Sequence, residues 1–134
     1  MISRFKPLPM IGDIVWCRFP YEVGTPGPKP RPALVLNTLN NDHAVLVVYG
    51  TTQKTDRVYP GEFVIGPDID GWEMSGLVQE TKFNLGATVS IPFDSDWFDV
   101  APLIFKNSPL PKLGVIPPLA IPLLQRAYRS INRK

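Results

Sequence analysis

Gly12-Asp13-Ile14-Val15-Trp16-Cys17-Arg18-Phe19-Pro20, answered by Arg31-Pro32-Ala33-Leu34-Val35-Leu36-Asn37, decides the fold of this chain. Each run is apolar, short and rich in strand-forming residues, and each is bounded by Gly or Pro, so both read as strands. The Pro/Gly-rich tip between them, Tyr21 to Pro30, reads as the loop of a hairpin. Arg31 stands where that loop hands over to a rigid apolar strand, a placement typical of binding and catalytic groups. Its planar, permanently charged fork suits phosphate.

Working outward, Asn40-Asn41-Asp42 is a turn cluster by residue type. Ala44 to Tyr49 is almost continuously apolar, as in a strand covered on both faces. That predicts a central position in a small barrel, or a face buried by a second subunit. The strand ends in Gly50-Thr51-Thr52-Gln53, and Glu62 to Ile65 is a further short strand. Gly76 to Leu85 reads as one more, with Ala87 to Pro92 continuing it or pairing with it. Asp94-Ser95-Asp96 is an N-cap cluster for a short helical turn carrying Trp97 and Phe98. Residues 101–118 are studded with proline and give no assignment. From Pro122 onward, Leu123, Leu124, Ala127, Tyr128 and Ile131 share one face at helical spacing. Many short strands and one terminal helix predict a mainly β fold, a small β-barrel with appended short helices including a C-terminal helix.

The 134 residues suit one domain. Sixteen prolines and ten glycines favour short strands over long helices. The net charge of +2 permits a nucleic-acid partner without demanding one. One cysteine excludes an internal disulfide framework and a cysteine metal cluster; sharing a strand face with Val15 and Phe19, Cys17 reads as a buried small hydrophobe. No apolar run is long enough to span a membrane. Residues 1–11 read as a loose leader with no apolar signal core, so a cytoplasmic location is expected.

Among the chemistry-bearing residues, Thr51 and Thr52 offer hydroxyls able to donate to a phosphate oxygen. Glu80 and Lys82 fall on one face of their strand by alternation, as an exposed opposite-charge pair or as polar contacts for a ligand. Trp16 and Arg18 point to the side opposite Cys17, where an aromatic and a cation together can hold a nucleotide; core or interface packing is the other role open to Trp16. His43 is the only histidine, which excludes two-histidine acid/base hydrolysis and leaves it as a turn or surface residue. Asp94, Asp96 and Asp99 read as capping residues, and no metal or cofactor is expected.

In order and spacing, Gly12-Asp13-Ile14-Val15-Trp16, Phe19-Pro20, Arg31 to Leu36 and Gly50-Thr51-Thr52-Gln53 resemble the MazF/PemK (Kid) toxin family. Gly76 to Leu85 is similar to the strand that this family sets against its active groove. The resemblance covers roughly residues 11–100, with a proline-rich, helical extension over about 101–134 in a single domain. It implies an SH3-like barrel that forms a homodimer. It implies the toxin of a type II toxin–antitoxin system, a metal-independent, sequence-selective endoribonuclease that cleaves single-stranded mRNA and halts translation. A cognate antitoxin protein would plug the RNA groove.

Such cleavage needs a base for the ribose 2′-hydroxyl, donors for the charge building on phosphorus, and an acid for the leaving 5′-oxygen. By the resemblance Arg31 and Thr51 are the catalytic residues, with Thr52 taking the place of Thr51 if the register slips by one. Gln53 would orient RNA, and Lys82 stands where the family often carries an arginine. Glu80 would be a weak base or a base-edge reader, and Glu22 lies in a loop that in the family closes over RNA. Trp16, Arg18, Glu22, Gln53, Glu80 and Lys82 thus form the expected RNA-binding set. Two rival readings accompany this one: a barrel that inhibits a protein target such as a topoisomerase without chemistry, and an inactive relative.

Overall fold

A computed structural model describes residues 2–20, 24–100 and 110–131. The first hairpin forms as its sequence predicts, from β1 (Asp13–Cys17) and β2 (Arg31–Leu39). A single 3₁₀ turn at Asn40–Asp42 leads into β3 (Ala44–Thr51), with His43 in the left-handed conformation at the turn's end. Then come β4 (Glu62–Ile65), a 3₁₀ turn at Trp72–Ser75, the long β5 (Thr81–Pro92), β6 (Lys112–Val115), and helix α1 (Ile121–Ile131). The six strands make one curled antiparallel sheet, a half-barrel, in the order β4-β5-β3-β2-β1-β6.

Strand alternation gives this sheet two apolar faces. Ile14, Leu34, Val48, Phe63, Ile65, Phe83 and Leu85 are buried on one, beneath Leu123, Leu124 and Ala127 of α1. Val15, Cys17, Ala33, Val35, Val45, Val47, Ile91, Phe93 and Phe98 are buried on the other. The unbroken apolar character of β3 follows directly: it is central, so both of its faces are covered. Cys17 is fully buried, and burial pushes its thiol pKa up, as suits a packing residue rather than a nucleophile.

Four details refine the sequence reading. β5 begins at Thr81, so 76–80 are not strand, while Ala87 to Pro92 continue β5 rather than pairing with it. Asp94 does cap: its carboxylate accepts from the Asp96 N–H (3.0 Å) and its carbonyl from the Phe98 N–H (3.0 Å). The Trp97 N–H donates to the same carbonyl at 3.2 Å, so a single turn forms at 95–97, and the chain then bridges from Phe98 to Cys17 rather than extending into a helix. The unassigned stretch contains β6, whose four residues carry too little pattern to stand out among prolines. On α1, Tyr128 is 57% exposed and Ile131 is 42% exposed, so the buried stripe is narrower than its spacing suggests.

The β3–β5 ladder carries the irregularity that matters. Val48 pairs with Thr88 and Gly50 with Phe83, so β5 advances five residues while β3 advances two. The surplus residues bulge away and open a gap in the sheet, a common device for aiming side chains at a site. Gly50 lies in that gap. A Cβ there would come within 2.8 Å of Phe83 Cε1 and Thr81 Cγ2 and 3.0 Å of the Pro32 carbonyl oxygen. Gly50→Ala is therefore expected to destabilise the fold by about 1–3 kcal/mol, the usual cost of overpacking, measurable by urea denaturation.

Candidate active site at the β2–β3–β5 gap

The hairpin register builds the site. Cys17 pairs with Arg31 across β1–β2, and Ala33 pairs with Tyr49 across β2–β3. Two residues further along each strand, that second ladder sets Arg31 toward Thr51 on the face that carries Tyr49. The Arg31 guanidinium lies 5.9 Å from the centroid of the Tyr49 ring, within cation–π range. Phe19 also packs against Tyr49, its ring centroid 5.1 Å away and its plane tilted by 35°. The loop-edge arginine is thus positioned by an aromatic platform that belongs to the central strand.

Beside the platform, the bulge opens a cavity of about 380 Å³ lined by Tyr49, Thr51, Gln53, Lys54, Glu62, Lys82, Asn84 and Ala87. The backbone N–H of Gln53 donates to Thr51 Oγ1 at 3.1 Å. The hydroxyl oxygen is already an acceptor, so its own proton is available to donate outward. Thr52 follows outside β3 and is exposed, which leaves Thr51 as the hydroxyl in the cavity wall.

Sequence-predicted residues divide between those the cavity gathers and those placed elsewhere. Thr51, Gln53 and Lys82 line it, and Arg31 joins through Tyr49. Lys82 opposes Thr51 in the ladder but is only 7% exposed. Its ammonium donates to the Lys54 and Arg57 carbonyls at 2.9 and 2.8 Å and lies 3.3 Å from Glu62 Oε1. Glu80 precedes β5, exposed and beside Gly66, and so is parted from Lys82 rather than sharing a strand face with it. Arg18 makes a forked pair with Asp99 (2.8 and 3.3 Å) and donates to the Pro28 carbonyl at 3.0 Å, which pins the described part of the first loop. Trp16 pairs with Pro32, one step from the Cys17–Arg31 pair, so alternation turns it to the face opposite Arg31. Glu22 lies outside the described residues. His43 Nε2 sits 2.8 Å from the Phe5 carbonyl oxygen, remote from the cavity-lining set.

Tyr49, Lys54, Glu62 and Asn84 were not among the sequence-predicted residues. Tyr49 was legible two positions before Thr51, on the same strand face. Glu62 and Asn84 pair across β4–β5, and their arrival depends on the bulge, which no local signal announces.

Comparison with known proteins agrees with this fold. The family model for PemK-like, MazF-like toxins of type II toxin–antitoxin systems matches residues 11–91, which hold β1 to β4, all of β5 but its last residue, and every cavity-lining residue. Among solved structures, the chain is similar to a mycobacterial endoribonuclease in complex with its cognate antitoxin. Identity is 16% and the TM-score 0.58, over 94% of this chain and 97% of that one. A second mycobacterial endoribonuclease is similar at 16% identity and TM-score 0.56, over 94% of this chain and 92% of the other. No curated protein matches in sequence. With its two opening strands, its central strand and the bulge of its fifth strand inside the matched span, the chain belongs to the PemK-like, MazF-like toxin family of type II toxin–antitoxin systems.

Proposed function

We propose that this toxin is a metal-independent endoribonuclease that cuts single-stranded mRNA by attack of the ribose 2′-oxygen on the adjacent phosphorus, expelling the 5′-oxygen. Arg31 and Thr51 are its catalytic residues. The observation that carries the reading is the juxtaposition, inside the family-matched span, of the Arg31 guanidinium on the Tyr49 ring with the Thr51 hydroxyl in the cavity wall. Arg31 would clamp the phosphate and offset the charge that builds on its non-bridging oxygens; Thr51 would donate its proton to one of them. The internal 2′-hydroxyl removes the need for a protein nucleophile. Sequence selectivity would come from contacts to bases splayed along the same face, with Gln53 orienting the strand.

The active form would be a cytoplasmic homodimer held in check by a cognate antitoxin; the antitoxin part is supported by a neighbour of the same fold solved in complex with its own antitoxin. The purified protein is expected to cut a long single-stranded RNA into discrete fragments in excess chelator. Thr51→Ala should slow cleavage about 10- to 100-fold, the loss of one hydrogen bond to a charged group. Intact RNA after incubation with folded wild-type protein would refute the proposal and favour a toxin that acts by binding alone.

A further inference from the structure

Lys82 is chemically over-committed for a residue that touches substrate. Its ammonium is surrounded by the Lys54 carbonyl (2.9 Å), the Arg57 carbonyl (2.8 Å) and Glu62 Oε1 (3.3 Å), and its three protons match those three acceptors. The same Glu62 oxygen accepts from the Tyr59 N–H at 2.8 Å. One buried ion pair therefore holds the segment after β3 at three backbone points, residues 54, 57 and 59. A further turn bond runs from the Arg57 N–H to the Lys54 carbonyl at 3.2 Å, and Lys54 itself has a φ of 53°. A non-glycine residue in that left-handed region persists only where surroundings fix it. Two of the side chains this clamp presents are basic: Lys54 lines the cavity beside Thr51, and Lys54 and Arg57 are both exposed, with the exposed Asp56 between them.

We propose that Lys82 is a positioning residue, and that the loop it clamps carries Lys54 and Arg57 as the binding track for RNA phosphates flanking the scissile one. The proposal rests on the ribonuclease reading and deepens it. A compact ammonium suits the task, because it fits among three converging acceptors where a planar guanidinium fork would not. The charge seen by RNA would then come from the loop, and the buried lysine would set where that charge stands.

The test uses a 2′-O-methyl RNA oligonucleotide, which lacks the attacking hydroxyl and reports binding alone. Affinity is followed by fluorescence anisotropy against salt concentration. Each lost phosphate contact on a single strand should flatten the log–log salt slope by about 0.7. Lys54→Ala/Arg57→Ala is expected to flatten it by about 1.4, raising KM for cleavable RNA while kcat stays within a few fold. Lys82→Met should flatten the slope similarly and speed hydrogen exchange over residues 54–60. Added to the double variant, it should flatten the slope no further, as expected for residues acting through one another. If Lys82→Met does not yield folded protein, Glu62→Gln, which keeps shape and acceptor, is expected to show a smaller change of the same kind.

A wild-type slope in Lys82→Met with faster loop exchange would overturn the inference and leave the ribonuclease reading standing. So would a further loss of slope in the triple variant, which would make Lys82 itself a phosphate ligand. Wild-type protein that neither binds the oligonucleotide nor cleaves RNA would overturn both.

Discussion

Arg31→Ala is expected to lower RNA cleavage by about 100- to 1,000-fold or more while leaving the fold intact. The magnitude is that of removing one preorganised donor from the charge developing in a transition state. The fold should survive because Arg31 begins β2 at the sheet's loop end and its packing partner, Tyr49, keeps its contact with Phe19. Arg31→Lys tests geometry apart from charge. An ammonium keeps the charge and loses the fork, so it should recover only part of the rate. Single-turnover cleavage with circular dichroism alongside checks both variants. Wild-type rates in a folded Arg31→Ala protein would remove this arginine from the mechanism.

Phe83→Ala is the substitution expected to cost the most stability, about 3–5 kcal/mol. Phe83 is fully buried, stacks on Phe63 at a centroid distance of 5.7 Å, and pairs with Gly50 at the gap that forms the site. Truncation would leave a cavity between β4 and β3 under the wall carrying Thr51 and Lys82. A fall in melting temperature of roughly 10–20 °C should accompany it for a chain of this size. Activity at low temperature should fall too, because the same ring supports the floor of the site. A shift under a few degrees would mean that the neighbouring core collapses to fill the space.

How far the sequence reached depended on how local each cause was. The opening hairpin, the central strand and the terminal helix carry their own periodicity, and each formed where it was expected, with β1 ending three residues before Pro20. The places of Arg31 and Thr51 in the fold were legible for the same reason: one begins a clear strand and the other ends one. The bulge in β5 was not, because a surplus of residues between two ladders is a property of pairing and not of composition. Lys82 shows the difference most plainly. Alternation alone offers it to solvent beside Glu80; the loop folding back from β3 supplies two carbonyls and Glu62, and the lysine is buried instead. Arg18 was likewise read as a nucleotide contact beside Trp16, and its fork is engaged by Asp99, 81 residues away in sequence. Tyr128 lies on the apolar stripe by spacing, but α1 lies so that Ala127 meets the core and Tyr128 faces outward.

The central claim is that the RNA's own 2′-oxygen makes the cut. It is tested most directly by mass spectrometry of the fragment ends produced in excess chelator. The expected ends are 2′,3′-cyclic phosphates or their ring-opened products on one side of each cut and 5′-hydroxyls on the other. Fragments ending in 3′-hydroxyls and 5′-phosphates would contradict it, since those ends require an external water as nucleophile.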